Sequence, residues 1–265
     1  KNINWVAALA TLAATASFAQ SSVTITGVMD AGYVNNGVGG ISSGLLAPNF
    51  INIGGSEDLD NGMKAGFMTL NRFYTNTGGA DASGGFFASW VYLSGEFGSV
   101  SVGRTLDAAW ANGVAKFDVT GGGNMGSAVD AVLQHGLGYT RTQNAVTYVA
   151  PSMGGLNVAA TYAPNGQSTT LSATTSAEYS VAATYDMGAL SAGVTYSQST
   201  NKGYTVMAGY DLGVAKINVL HFSSKNANDT SSSTTTGANA AIPMPGMEAL
   251  TWTIGYYSSD MTANN

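Results

Sequence analysis

Cysteine is absent from the 265 residues, which excludes a disulfide framework, a thiolate metal site and a cysteine nucleophile. Charge is nearly as scarce. Asp, Glu, Lys and Arg together make up 9% of the chain, against roughly 25% in ordinary soluble domains. Bases are the scarcer kind, and a chain of formal net charge −6 offers no basic patch to neutralise phosphates, so a nucleic-acid partner is excluded. Long apolar runs are missing too. Beyond Gln20 no stretch approaches the roughly twenty apolar residues that a membrane helix needs.

What is present fits one solution. An apolar content of 45% with so little charge suits neither a soluble surface nor a helical membrane protein. A membrane β-barrel reconciles the two, because it shows an apolar face to lipid only at every second residue. The 35 Gly and the many Ser, Thr and Tyr fit strands and turns with aromatics at the membrane interfaces.

The N-terminus reads as an address. Lys1 precedes an apolar stretch from Trp5 to Ala14 and the small-residue segment Ser17-Phe18-Ala19, the pattern of a secretory signal peptide cleaved after Ala19. Residues 1–19 are then the signal peptide and 20–265 the barrel. Lys1 without a preceding Met points to a start further upstream.

From Val23 onward the dominant period is two, the period of a half-buried strand. Leu190, Ala192, Val194 and Tyr196 alternate with Ser191, Gly193, Thr195 and Ser197, and Leu250, Trp252, Ile254 and Tyr256 alternate with polar partners. About twelve such runs are expected, starting near Ser22, Asn49, Gly62, Gly84, Phe97, Gln143, Gly155, Ala177, Ala189, Lys202, Gly213 and Met247. Tight turns at Glu57–Asn61, Gly95-Glu96, Pro151–Gly154, Met187-Gly188 and Asp211-Leu212 alternate with mostly longer connections after Val34, Tyr74, Arg104, Ala163, Gln198 and Phe222. Short turns on one rim and long loops on the other are the outer-membrane pattern. Two excursions stand out: about 105–142, interrupted by Gly121-Gly122-Gly123, and Ser223 to Gly246, which reads as a polar surface loop.

Several strings carry a family resemblance. Ser22-Val23-Thr24-Ile25-Thr26-Gly27-Val28-Met29-Asp30-Ala31-Gly32, then Gly55-Ser56-Glu57-Asp58-Leu59-Asp60-Asn61-Gly62-Met63-Lys64-Ala65, then Val91 through Arg104, then Asn144 through Pro151 with Gly154-Gly155-Leu156 resemble, in order, the early strands of the general porins of β-proteobacteria. The resemblance runs from Ser22 to about Tyr162 and rests on strand rhythm beyond it. It implies an all-β, transmembrane antiparallel β-barrel of sixteen strands. About twelve of them are expected here, in an apparently truncated chain that lacks the C-terminal strands. It further implies a homotrimer in the outer membrane, in contact with the lipid bilayer and lipopolysaccharide, passing ions and small hydrophilic solutes by passive diffusion. A third loop, about 105–142, would fold inward and narrow the pore. No catalytic residue, metal or cofactor is implied.

Parity and the resemblance together nominate a constriction. Arg72 shares a face with Lys64 and Met68, opposite Ala65 and Phe67, and so faces the lumen. Arg141 shares a face with Gln143, Ala145 and Thr147. Arg104, in register with Val100 and Val102, would point into lipid at a cost of roughly 2–4 kcal/mol at mid-depth, unless Gly103 permits a bulge that turns it inward. The resemblance places Arg104 at the constriction, facing Asp107 and Asp118 on the loop, with Lys116 as the loop's counter-charge. Phe50, and Phe87 or a neighbour, stand where the family often has wall arginines. Once Lys1 leaves with the signal peptide, eight of the nine Lys and Arg oppose fifteen Asp and Glu, which favours a weak cation preference.

Competing classes have little to stand on. Gly121, Gly123 and Gly126 have dinucleotide-binding spacing without the strand-then-helix context it requires. His135 and His221 are the only histidines, and nothing links either to a serine as a hydrolase triad demands. The alternatives are a non-conducting structural or adhesive surface barrel and, behind it, a barrel hydrolase.

Overall fold

The computed structural model describes residues 22–35, 37, 39–45, 47–81, 86–120, 127–133, 140–166, 176–226 and 228–263. The expected signal peptide 1–19, the glycines 121, 123 and 126, and His135 lie outside them. The described strands, in chain order, are β1 (Ser22–Val28), β2 (Ala31–Asn35), β3 (Gly39–Ser43), β4 (Phe50–Asp58), β5 (Lys64–Arg72), β6 (Phe86–Gly95), β7 (Gly98–Leu106), β8 (Arg141–Val149), β9 (Leu156–Ala163), β10 (Glu178–Met187), β11 (Leu190–Gln198), β12 (Asn201–Asp211), β13 (Lys216–Asn226), β14 (Ser231–Met244) and β15 (Met247–Ala263). Thirteen of them form one antiparallel sheet in the order β1, β4, β5 and onward to β15, while β2 and β3 pair with each other inside the first long connection. No helix among the described residues is long and apolar enough to cross a membrane, which leaves crossing by strands untouched.

Alternation explains the sheet. The outer residues Ile25, Val102, Val181 and Ile254 are exposed, while their neighbours along the strands are small or polar. An apolar residue facing out at every second position is stable only in lipid. All twelve expected runs are strands. The thirteenth, β14, corrects the count of about twelve and the reading of Ser223 to Gly246 as a loop. Its sequence, Ser231 through Gly237, is Ser and Thr on both faces, so no alternation marks it. Pairing between β13 and β15 nevertheless fixes it, with Asn239 opposite Asn218 and Thr235 opposite Phe222. Two of the expected long connections are short: Ser199-Thr200 joins β11 to β12, and 227–230 joins β13 to β14.

The connection between β7 and β8 runs from 107 to 140, slightly inside the expected bounds, because β7 continues to Leu106 and β8 begins at Arg141. It carries helical turns at Ala108–Ala111, Val114–Phe117 and Ala128–Leu133. This loop lies on the inner face of the sheet. Its Val114, Phe117, Ala128 and Val132 are fully buried against Met207, Leu220 and Phe222 of β12 and β13. Gly193 of β11 makes room for it, since a Cβ there would come within 2.8 Å of the Phe117 ring.

Candidate functional site

The loop is fastened at three places, each a polar group that would be costly to bury alone. At its start, Asp107 caps the Ala108–Ala111 turn, accepting from the Trp110 N–H at 3.2 Å. The same carboxylate accepts from the hydroxyls of Ser180 at 2.7 Å and Thr142 at 3.2 Å. Burial pushes the Asp107 carboxyl above its ordinary range, and these hydrogen bonds only partly oppose the shift. The Ala108 N–H donates to Thr161, whose hydroxyl continues a chain through Thr147 to Thr105. In the middle, Lys116 reaches the wall, pairing with Asp186 at 2.6 Å beside Thr184. Just beyond, Asn218 and Asn239 both donate to the Phe117 carbonyl oxygen, at 3.0 and 2.8 Å. Asp118, buried next to it, accepts from the hydroxyls of Thr120 and Ser127.

These anchors lie on β8, β9, β10, β13 and β14. The three nominated arginines meet beside the start of the loop, Arg72 on β5, Arg104 on β7 and Arg141 on β8. Phe87 is the extra residue of a bulge in β6, where Leu70 pairs with Ala88 but Asn71 pairs with Phe86. The bulge brings its ring between two guanidiniums: Arg72 stacks 3.5 Å from the ring centroid and Arg141 4.3 Å. Arg141 also stacks on Trp110 of the loop at 4.4 Å. The bulge expected at Gly103 is present too. The β7–β8 register shifts between Gly103 and Thr105, Gly103 has φ +140°, and Arg104 Nε donates to the Phe87 carbonyl oxygen at 2.8 Å. Arg141 is within electrostatic reach of both Arg72 and Arg104. Cation–π stacking, about 0.5–2 kcal/mol per contact, offsets part of the like-charge repulsion.

The other nominated residues are elsewhere. Lys64 pairs with Asp58 across the β4–β5 turn at 2.7 Å, both well exposed. It starts the strand that Arg72 ends, which at the usual rise puts it about 26 Å away. Asp107 and Asp118 are on the loop as expected, but their carboxylates are spent on caps and hydroxyls. His221 sits on the outer face with Nδ1 beside the Thr236 hydroxyl at 2.8 Å. Sequence reasoning missed Trp110 and the Asn218–Asn239 pair as fastenings. Both asparagines lie at inward parity on facing strands, a signal that was legible only once β14 was known to be a strand.

Comparison with known proteins follows the same lines. The family model for Gram-negative porins matches residues 6–265. The outer membrane porin protein 32 of Delftia acidovorans is 34% identical over 206 residues, 71% of this chain and 57% of that protein, so the chain spans little more than half the length of this curated relative. Among solved structures, an anion-selective porin from Comamonas acidovorans matches with a TM-score of 0.75 at 24% identity, covering 91% of this chain and 80% of the other. OmpF from Salmonella typhi, in complex with daunomycin, matches at 0.67 with 14% identity over 91% and 79%. At such identities these structures speak for the fold alone.

Proposed function

Because this chain belongs to the Gram-negative porin family, and so is a β-barrel protein of the outer membrane, we propose that it forms a passive diffusion channel for ions and small hydrophilic solutes. The channel is narrowed by the loop 107–140, and the narrow point lies between that loop and Arg72, Arg104 and Arg141. The observation that carries this reading is the loop's fastening to the wall while three arginines converge on Phe87 beside its first turn, Arg141 stacking on Trp110. The protein is exported with cleavage after Ala19 and assembles as a trimer among lipid and lipopolysaccharide. Transport rather than catalysis is the family's kind of work.

In place of the cation preference expected from the whole-chain count, the local arrangement favours anions. The acids near the loop are capped or paired: Asp107 by hydroxyls and Asp186 by Lys116. Among the described residues, the acid within electrostatic reach of this cluster is Asp81, beside Arg72. Focused charge at a narrow point governs entry more than charge spread over the surface. Reconstitution in planar bilayers tests the channel directly. Discrete conductance steps are expected, and a barrel that inserts but never conducts would establish the structural or adhesive alternative.

A further inference from the structure

The β5–β6 wall carries a feature that bulk diffusion does not require. At inward positions β5 presents Met68 and Leu70, and β6 presents Trp90 and Tyr92, with Met68 paired to Trp90 and Gly66 to Tyr92. Polar residues would serve a purely aqueous wall better. The rings are laid out by their neighbours. A Cβ on Gly66 would meet the Cζ and Oη atoms of Tyr92 at 2.5 Å, so the tyrosine ring lies across the glycine. The cross-strand row through Trp90 runs Thr24, Gly54, Met68, Trp90, Gly103, Ala145, with a glycine next to Trp90 on one side and Met68 on the other. Both rings border a concavity of about 350 Å³, with Thr24, Asn52 and Met68 also on its wall.

At the end of this surface stand Phe87 on β6 and Arg72 on β5, with Arg104 on β7 and Arg141 on β8 beside them. Among the described residues, Nε of Arg72, Nε of Arg141 and Nε1 of Trp110 are buried donors with no acceptor, and Arg141 is only 9% exposed. Buried donors are normally satisfied, and three left open on two guanidiniums that share Phe87 and on the indole stacked against one of them favour a ligand oxygen that carries negative charge. A flat apolar body suits the rings below, since offset ring stacking adds to plain area burial. We propose that the wall from Tyr92 through Trp90 to Phe87 is a track for small aromatic carboxylates, the ring stacking in passage and the carboxylate taken by Arg72 and Arg141. This rests on the channel reading above.

The probe pair is 3-phenylpropanoate and propanoate, added to the full chain reconstituted in planar bilayers carrying KCl current. Phenylpropanoate is expected to interrupt the current at concentrations where propanoate does not. Trp90→Leu should shorten those interruptions roughly two- to tenfold, the range that loss of one stacked ring implies, measured against the variant's own open-channel current. Trp90→Tyr should retain them. Equal interruption by the two acids, or interruption by neutral maltose as strong as by phenylpropanoate, overturns the track and leaves the channel standing. Absence of any KCl conductance overturns the channel itself. If Trp90→Leu does not assemble, the comparison of the two acids on the unsubstituted protein still decides.

Discussion

Gly103 shows how one residue sets the electrostatics of the inner wall. Its φ of +140° is closed to side chains, and a Cβ there would lie 2.4 Å from the Ser89 carbonyl oxygen. Gly103→Ala should therefore force the strand straight, at about 1–3 kcal/mol of backbone strain, and return Arg104 toward lipid. A lower temperature for loss of the folded band in detergent gels checks this, and an unchanged band temperature would mean that Arg104 is held by Phe87 alone. The Gly103 bulge was legible because an arginine among lipid-facing valines demands one. The Phe87 bulge was not, since Phe86-Phe87 reads equally well in either register and only pairing with β5 decides. Asp107 is a second case in which environment outweighs residue type. Its carboxyl is raised above the ordinary 3.8 by burial, so its contribution to stability is full below that value and is lost as pH rises through the raised one. Thermal melts should show the loop's stability falling over that upward window, and Asp107→Asn, which keeps the cap, should flatten the fall. Asp107→Ala loses the cap as well, at about 0.5–2 kcal/mol. A melting temperature that instead rises across the window would show that the hydrogen bonds from Ser180 and Thr142 outweigh desolvation.

At the scale of elements, the loop 107–140 and strand β14 depend on each other. The loop's middle hangs on one carbonyl oxygen, that of Phe117, which accepts from Asn218 on β13 and Asn239 on β14. Asn239 also donates to the Tyr257 hydroxyl at 2.7 Å, tying in β15. Each buried hydrogen bond is worth about 1 kcal/mol net, and more where a partner is left unsatisfied. The double variant Asn218→Ala, Asn239→Ala strands the Phe117 carbonyl and should free the loop. Single-channel records are expected to show larger mean conductance with added current noise, and records as quiet as the parent's would mean that the apolar packing of Phe117 and Val114 suffices. The sequence conveyed the loop's existence through its length, but not which wall it takes. That choice comes from inward Phe222, Leu220 and Met207, which read as ordinary alternation until a partner arrives from elsewhere in the chain.

For the whole molecule, two charge descriptions compete. The chain is acidic, with net charge −6, and the count alone favours cations. The folded arrangement brings Arg72, Arg104 and Arg141 together at Phe87 and consumes Asp107 and Asp186 in internal contacts. Which description governs depends on range. The Debye length is about 10 Å in 0.1 M salt and 3 Å in 1 M, so exposed charges far from the path are already screened at moderate salt. A cluster at the narrowest point acts on an ion within a few ångströms and is screened last. Reversal potentials across a KCl gradient should therefore show anion preference in 0.1 M solutions that weakens toward 1 M. Replacing Arg72 and Arg141 together by Gln should remove most of that preference and let the acidic remainder emerge as a cation preference. The paired substitution is needed because the two guanidiniums share Phe87, and removing one lets the other settle more closely on the ring. Cation preference in the unsubstituted protein at 0.1 M would mean that the overall charge, rather than the arginine cluster, sets selectivity.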